Sequence, residues 1–266
     1  MLRYLTSFIS LLLFNVIGNL SYLAYGQDTL QTKLRELDKV RNEKNIPYDE
    51  VEKRGKELLA EYTDPEEQGR IYCELVEIHA NTGMVHADLI VQYAQKALDL
   101  SVDPFQRFRL YGAWGGAIDI GNTHKPREQQ KPLYEIRKVA VRPYLEGLKE
   151  MQAYKIPEQR PNLPGVSKYD GVPENSPIKK MHDEQMAARK QAEFDDKLWS
   201  SHQTLISEVV DLYSKPPYAA TELRQIATKT LGDTAEVEAL MKRIEDKGAL
   251  KDDPIPEKAN AKIPDK

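Results

Sequence analysis

A single cysteine, Cys73, occurs among 266 residues, so no intramolecular disulfide can close even in an oxidising compartment. The fold must therefore stand on its apolar core. Beyond residue 25 the chain has no run approaching the roughly 18 apolar residues that a spanning helix needs. A basic surplus is missing too. Its 38 Lys and Arg face 42 Asp and Glu, for a formal charge of −4, and a nucleic-acid surface needs a basic stripe. No nucleic-acid partner is expected.

The usual chemical signatures are also absent: no G-x-S-x-G, no phosphate-cradling glycine loop and no H-E-x-x-H. Five histidines stand at 79, 86, 124, 182 and 202, none in an H-x-x-x-H arrangement, and metal clusters depend on such spacing. They read as polar surface or groove-lining side chains. His79 and His86 are separated by the break at Gly83, so they share no helix face. Asp195-Asp196 and Asp252-Asp253 read as exposed neighbours that point apart, whereas a glycosidase pair faces across a cleft. Cys73 lies in a helical pattern with no clear cationic neighbour to activate it, the signature of a structural thiol. No catalytic residue, metal or cofactor is expected, and a non-enzymatic role leads.

The start of the chain carries an address. Met1-Leu2-Arg3 is a short basic head, Tyr4 to Ile17 is mostly apolar, and Ala24-Tyr25-Gly26 offers small residues where a signal peptidase reads. Residues 1–26 are therefore expected to be a signal peptide cleaved before Gln27, leaving 240 residues with a formal charge of −5. The protein would be periplasmic or extracellular, with no membrane contact after signal removal. The alternative is an N-terminal membrane anchor, since Tyr4 to Tyr25 is 22 residues long.

The remainder reads as helix. Residues 27–46 hold one lead helix with leucines at 30, 34 and 37. From 47 to 154 the apolar residues recur at helical spacing: Val51, Leu58, Leu59 and Tyr62, then Ile71, Leu75 and Ile78, then Ile90, Ala94, Ala97 and Leu98. A shift of 39 residues lays Asp64-Pro65 on Asp103-Pro104, Arg70-Ile71-Tyr72 on Arg109-Leu110-Tyr111, and Val51 and Gly55 on Ile90 and Ala94. That is a repeated helical hairpin, and such units stack because none can bury its apolar face alone. Each Asp-Pro pair reads as a helix start, the carboxylate capping and the proline opening the first turn.

The segment from about 48 to 150 resembles the tetratricopeptide repeat family. Its W-x-x-L-G-x-x-Y pattern is matched by Tyr72-x-x-Leu75-Val76-x-x-His79 and Tyr111-x-x-Trp114-Gly115-x-x-Ile118, and "YAQKALDLSVDP" carries the small and proline positions at Ala97 and Pro104. The period of 39 rather than 34 departs from the family, as does the longer loop after Gly83. The resemblance implies an interaction scaffold whose inner wall uses the first helix of each hairpin. On that reading Tyr72, His79, Arg109, Tyr111 and Trp114 are the candidate binding residues, with Tyr93 and His124 nearby. Packing of the aromatics as inter-helix core is the alternative. In "GAWGGAIDIG", the glycines at 112, 115 and 116 read as close helix packing rather than a nucleotide loop.

Residues 126–154 read as continuing helix, with Pro132 and Pro143 expected to kink or divide it. A proline-rich linker spans 155–177, with five prolines. A C-terminal helical bundle covers 178–248, led by one long helix to Tyr213 and closed by a helix behind the capping box Asp233-x-x-Glu236. Residues 249–266 read as a disordered tail. The whole is expected to be all-α: helical-hairpin repeats, then a small bundle with one long helix. Its expected function is an exported protein-interaction or assembly module with a protein or peptide partner. The alternatives are an enzyme or metal-binding protein whose site leaves no motif, and a self-associating structural component of the envelope.

Overall fold

The computed structural model describes residues 29–39, 47–81, 84, 86–100, 102–165, 176–232 and 234–254. The signal-peptide reading of 1–26, the Thr82-Gly83 break and Asp233 lie outside the described residues. Among the described residues the regular elements are helices: α1 (29–39), α2 (Tyr48–Glu61), α3 (Pro65–Asn81), α4 (Ala87–Leu98), α5 (Pro104–Thr123), α6 (Leu133–Met151), α7 (Pro177–Tyr213), α8 (Ala220–Leu231) and α9 (Ala235–Asp246). The fold class is all-α.

The 39-residue spacing is visible in the helix boundaries, since Tyr48 and Ala87 start α2 and α4 while Pro65 and Pro104 start α3 and α5. The two corners also share their chemistry. Asp64 Oδ1 accepts from the backbone N–H of Glu66 at 2.9 Å and Glu67 at 3.2 Å. Asp103 Oδ1 accepts from Phe105 at 2.8 Å and Gln106 at 3.4 Å. Each carboxylate satisfies N–H groups that a helix start leaves without partners, and each proline occupies a position that needs no donor. Val51, Gly55 and Leu58 on α2 are buried, as are Ile90, Ala94 and Ala97 on α4.

Two cores result. Leu30, Leu34 and Leu37 of α1 join Val51, Ile71, Leu75, Ile78, Ile90 and Ala94 in the first, which ends on Leu110 and Ala117 of α5. Phe108, on another face of α5, belongs to the second core, with Val141, Leu145 and Leu148 of α6, Leu205 and Val209 of α7, Leu223 of α8 and Leu240 of α9. The cores meet on α5, and α6 packs both against α5 and against α7 and α8, so it joins the repeat region to the C-terminal helices. The described part of the proline-rich segment is tied down as well. Ile156 packs on the second core, and Arg160 pairs with Asp196 at 2.7 Å below the ring of Trp199.

Three expectations need correction. Residues 126–132 are not helix: a single 3-10 turn, Arg127–Gln129, precedes the N-cap Pro132, and α6 then runs unbroken through Pro143. Lys131 is disfavoured from helical geometry by the following Pro132, so Pro132 acts as a starter rather than a kink. The Glu236 half of the expected capping box is engaged elsewhere: Glu236 faces His202 Nε2 at 3.0 Å and accepts from Gln152 Nε2 at 3.1 Å, and Thr234 at the helix start makes no side-chain cap. Finally, residues 249–254 are ordered, contrary to the disordered-tail reading. Ala249 is fully buried, and Asp253 Oδ2 accepts from Tyr218 N at 3.0 Å while Asp252 Oδ1 accepts from Thr221 N at 2.9 Å.

Asp252 thus caps α8 from the far end of the chain, and the bonds from Thr221 and then Ala220 hold its carboxyl below the ordinary aspartate range. A carboxyl with a lowered folded pKa adds stability above its unfolded pKa and loses it as pH falls through the folded one. Asp252→Ala should cost about 1 kcal/mol at neutral pH. The gap between variant and parent should close below about pH 4, in thermal melts followed by circular dichroism.

Candidate functional site

The sequence-named residues do not gather in one groove. Tyr72 is half-buried, its ring 5.7 Å from that of Tyr93 and under the ammonium of Lys96. Tyr111 turns toward α6, where its hydroxyl donates to Glu150 Oε2 at 3.2 Å. The same carboxylate accepts from Arg107 Nη2 at 2.9 Å. Burial first, then Glu150, pushes the Tyr111 phenol above its ordinary range. Trp114 packs, half-buried, against the first core. Arg109 is exposed, paired with Glu77 at 2.9 Å, beside a cleft of about 120 Å³ between α3 and α5. Cys73 borders that cleft but is buried, and loss of solvent drives its thiol up to about 12, as expected of an inert structural thiol.

His79 overturns the surface reading most clearly, because it is fully buried. Its Nε2 lies 2.7 Å from Glu52 Oε1, and Tyr93 donates to Glu52 Oε2 at 2.6 Å. The rings of Tyr48, His86 and Tyr93 surround it, with His86 only 5.6 Å away between centroids. The two histidines therefore meet although no helix face joins them. Burial first, then the bond to Glu52, raises the Tyr93 phenol. Three titratable groups converge here, on α2, α3 and α4, and an open depression on the outer side of α2 reaches Glu52. Such a packed polar network joins the three helices.

A groove of about 850 Å³ opens elsewhere, between α4, α5 and α6. Ala87 and Val91, Ala117 and Ile118, and Ile136 and Val139 supply its apolar surface. At Gly121 the floor is a direct helix contact, since a Cβ there would fall 2.2 Å from the Cβ of Ala87. Val139 is 51% exposed. The buried face of α6 runs through Ile136, Ala140, Tyr144, Leu145 and Leu148, and Val139 stands off it. Lys125, Lys131, Lys138 and Arg142 line the walls against Asp88 and Glu135, and His124 stands on the rim.

The α5–α6 corner that carries this basic rim is fixed by its own side chains. Asn122 Nδ2 donates to Lys131 O at 2.9 Å, and Lys131 N donates back to Asn122 Oδ1 at 2.9 Å. Gln130 Nε2 donates to the carbonyls of Thr123 at 3.2 Å and Lys125 at 2.8 Å, supplying donors where the end of α5 leaves acceptors unpaired. Comparison with known proteins finds no matching family, no similar curated protein and no similar solved structure. The groove must accordingly be read from its own chemistry. An open, apolar trough with a pre-set polar edge can take up an aliphatic side chain and pair the groups that flank it. Of the candidate binding residues and their neighbours read from the sequence, His124 alone lies on it. The available signals were Val139, an apolar residue out of phase with its helix, and the basic corner "HKPREQQK".

Proposed function

We propose that this chain is an exported, non-enzymatic protein-interaction module built on tetratricopeptide-like helical hairpins, and that it takes its partner in the groove between α4, α5 and α6. One observation carries the reading. Aliphatic surface, Val139 above all, is left uncovered inside walls whose corner is held by reciprocal hydrogen bonds. An uncovered apolar patch with a polar rim marks an interaction site. The enzymatic alternative draws on the Glu52, His79 and Tyr93 cluster, in which His79 is fully buried and Tyr93 nearly so. The leader pattern of residues 1–26 supports the exported address.

The test is a photo-crosslinking amino acid at position 139 of the full chain, expressed in its own cells. A discrete protein adduct is expected at 139 and not at position 229, on the exposed side of α8. Adducts of equal yield at both positions, or none at 139, would remove the groove reading. Fractionation of the same cells should recover the chain outside the cytoplasm.

A further inference from the structure

Resting on that reading, we propose that the occupant of the groove is an acidic peptide segment of a partner protein, one that sets an aliphatic anchor between two or more carboxylates. The first argument is charge. The chain is acidic overall, at −4, yet four Lys and Arg line this groove against two Asp and Glu. Composition alone would give the opposite balance.

The second argument is the state of those cations. Lys138 is engaged with Glu222 at 2.7 Å. Lys125, Lys131 and Arg142 form no ion pair with the described residues. Some exposed cations elsewhere find carboxylates, as Arg54 does with Glu50 and Arg160 with Asp196, while others, such as Lys149 and Lys229, form no ion pair with the described residues; what sets the groove apart is that three such cations converge on one apolar trough. Unpaired cations ringing an apolar trough are complementary to carboxylates ringing an apolar side chain.

The third argument is placement. Lys125 and Lys131 belong to the fixed corner beyond the end of α5, whereas Arg142 lies more than two turns into α6. Leu133 to Arg142 alone spans about 13 Å of helix axis. A single head group can meet only one end of that row. A peptide presents successive carboxylates along it, with Val139, Ile136 and Ile118 beneath for the anchor. The basic side chains supply orientation and encounter rate, and the apolar floor supplies the burial.

The experiment is a selection of random twelve-residue peptides displayed on phage, run against the full chain. The same selection is run against Lys125→Glu/Arg142→Glu and against Val139→Asp, each shown by its melting curve to be folded. Enriched peptides should carry at least two Asp or Glu around a Leu, Ile or Phe. Their synthetic versions should bind at least tenfold more weakly to the charge-reversed protein and in high salt. Enriched peptides without acids, or acidic ones bound equally by the charge-reversed protein, would overturn the acidic assignment. If Val139→Asp still abolished their binding, the interaction reading would survive. No enrichment together with no adduct at position 139 would overturn both. Co-sedimentation with phosphatidylglycerol vesicles, lost on charge reversal while peptides are ignored, would assign the groove to anionic lipid instead.

Discussion

Glu52→Leu should lower the folding free energy by about 4 kcal/mol, read from urea unfolding. The Glu52 carboxylate serves both His79 Nε2 and the Tyr93 hydroxyl. His79 is fully buried and Tyr93 nearly so. Each polar group that loses its partner in a dry site costs about 1–3 kcal/mol, and more where the partner was charged. Leucine restores part of this through apolar contact, but it accepts no hydrogen bond. Glu52→Gln separates the causes, because an amide keeps an acceptor for Tyr93 and a second polar atom for His79. Its cost should be about 1 kcal/mol. Replacing all three groups, as Glu52→Leu/His79→Leu/Tyr93→Phe, should recover much of the loss, since removing both ends of a buried bond leaves no orphan. A Glu52→Leu protein as stable as Glu52→Gln would show that the network does not hold α2, α3 and α4 together.

That network marks the limit of what the sequence reveals. The Asp-Pro corners were legible because capping and proline chemistry act within three residues, and the observed caps use those same aspartates. The apolar stripes of α2 to α4 were legible because burial follows the helical period. His79 was not, for its partner Glu52 lies 27 residues earlier on another helix and Tyr93 lies 14 residues later on a third. A polar residue in a helix is assigned to solvent unless its distant partner is known. The same locality hid the role of Asp252, whose carboxylate reaches back 31 residues to Thr221. The groove was hidden for a related reason. Three helices and a corner contribute to it, and only a residue out of phase, Val139, betrays it along one strip of chain.

The glycines of α5 permit a sharper test, because the sequence treats Gly112, Gly115 and Gly116 alike and the structure does not. A Cβ on Gly115 would lie 2.4 Å from Tyr144 Cζ and 2.6 Å from both Cε atoms. Tyr144 is itself buried in the second core, so its ring has little room to withdraw. Gly115→Ala should therefore force α5 and α6 apart at a gross cost of about 3 kcal/mol, as overpacking does. Alanine returns about 1 kcal/mol through helix propensity, leaving a net loss of about 2 kcal/mol. At Gly112 the nearest atom to an added Cβ is Leu205 Cδ2 at 4.0 Å, an ordinary contact. Gly112→Ala should accordingly keep the whole gain and stabilise by about 1 kcal/mol. Gly116 falls between, since the Met84 Cε at 3.1 Å ends a flexible side chain that can swing aside. Thermal melts of the three alanine variants should thus rank Gly112→Ala above the parent and Gly115→Ala well below it. Equal shifts at 112 and 115 would mean that helix propensity alone governs α5 and that the Tyr144 contact does not hold it against α6.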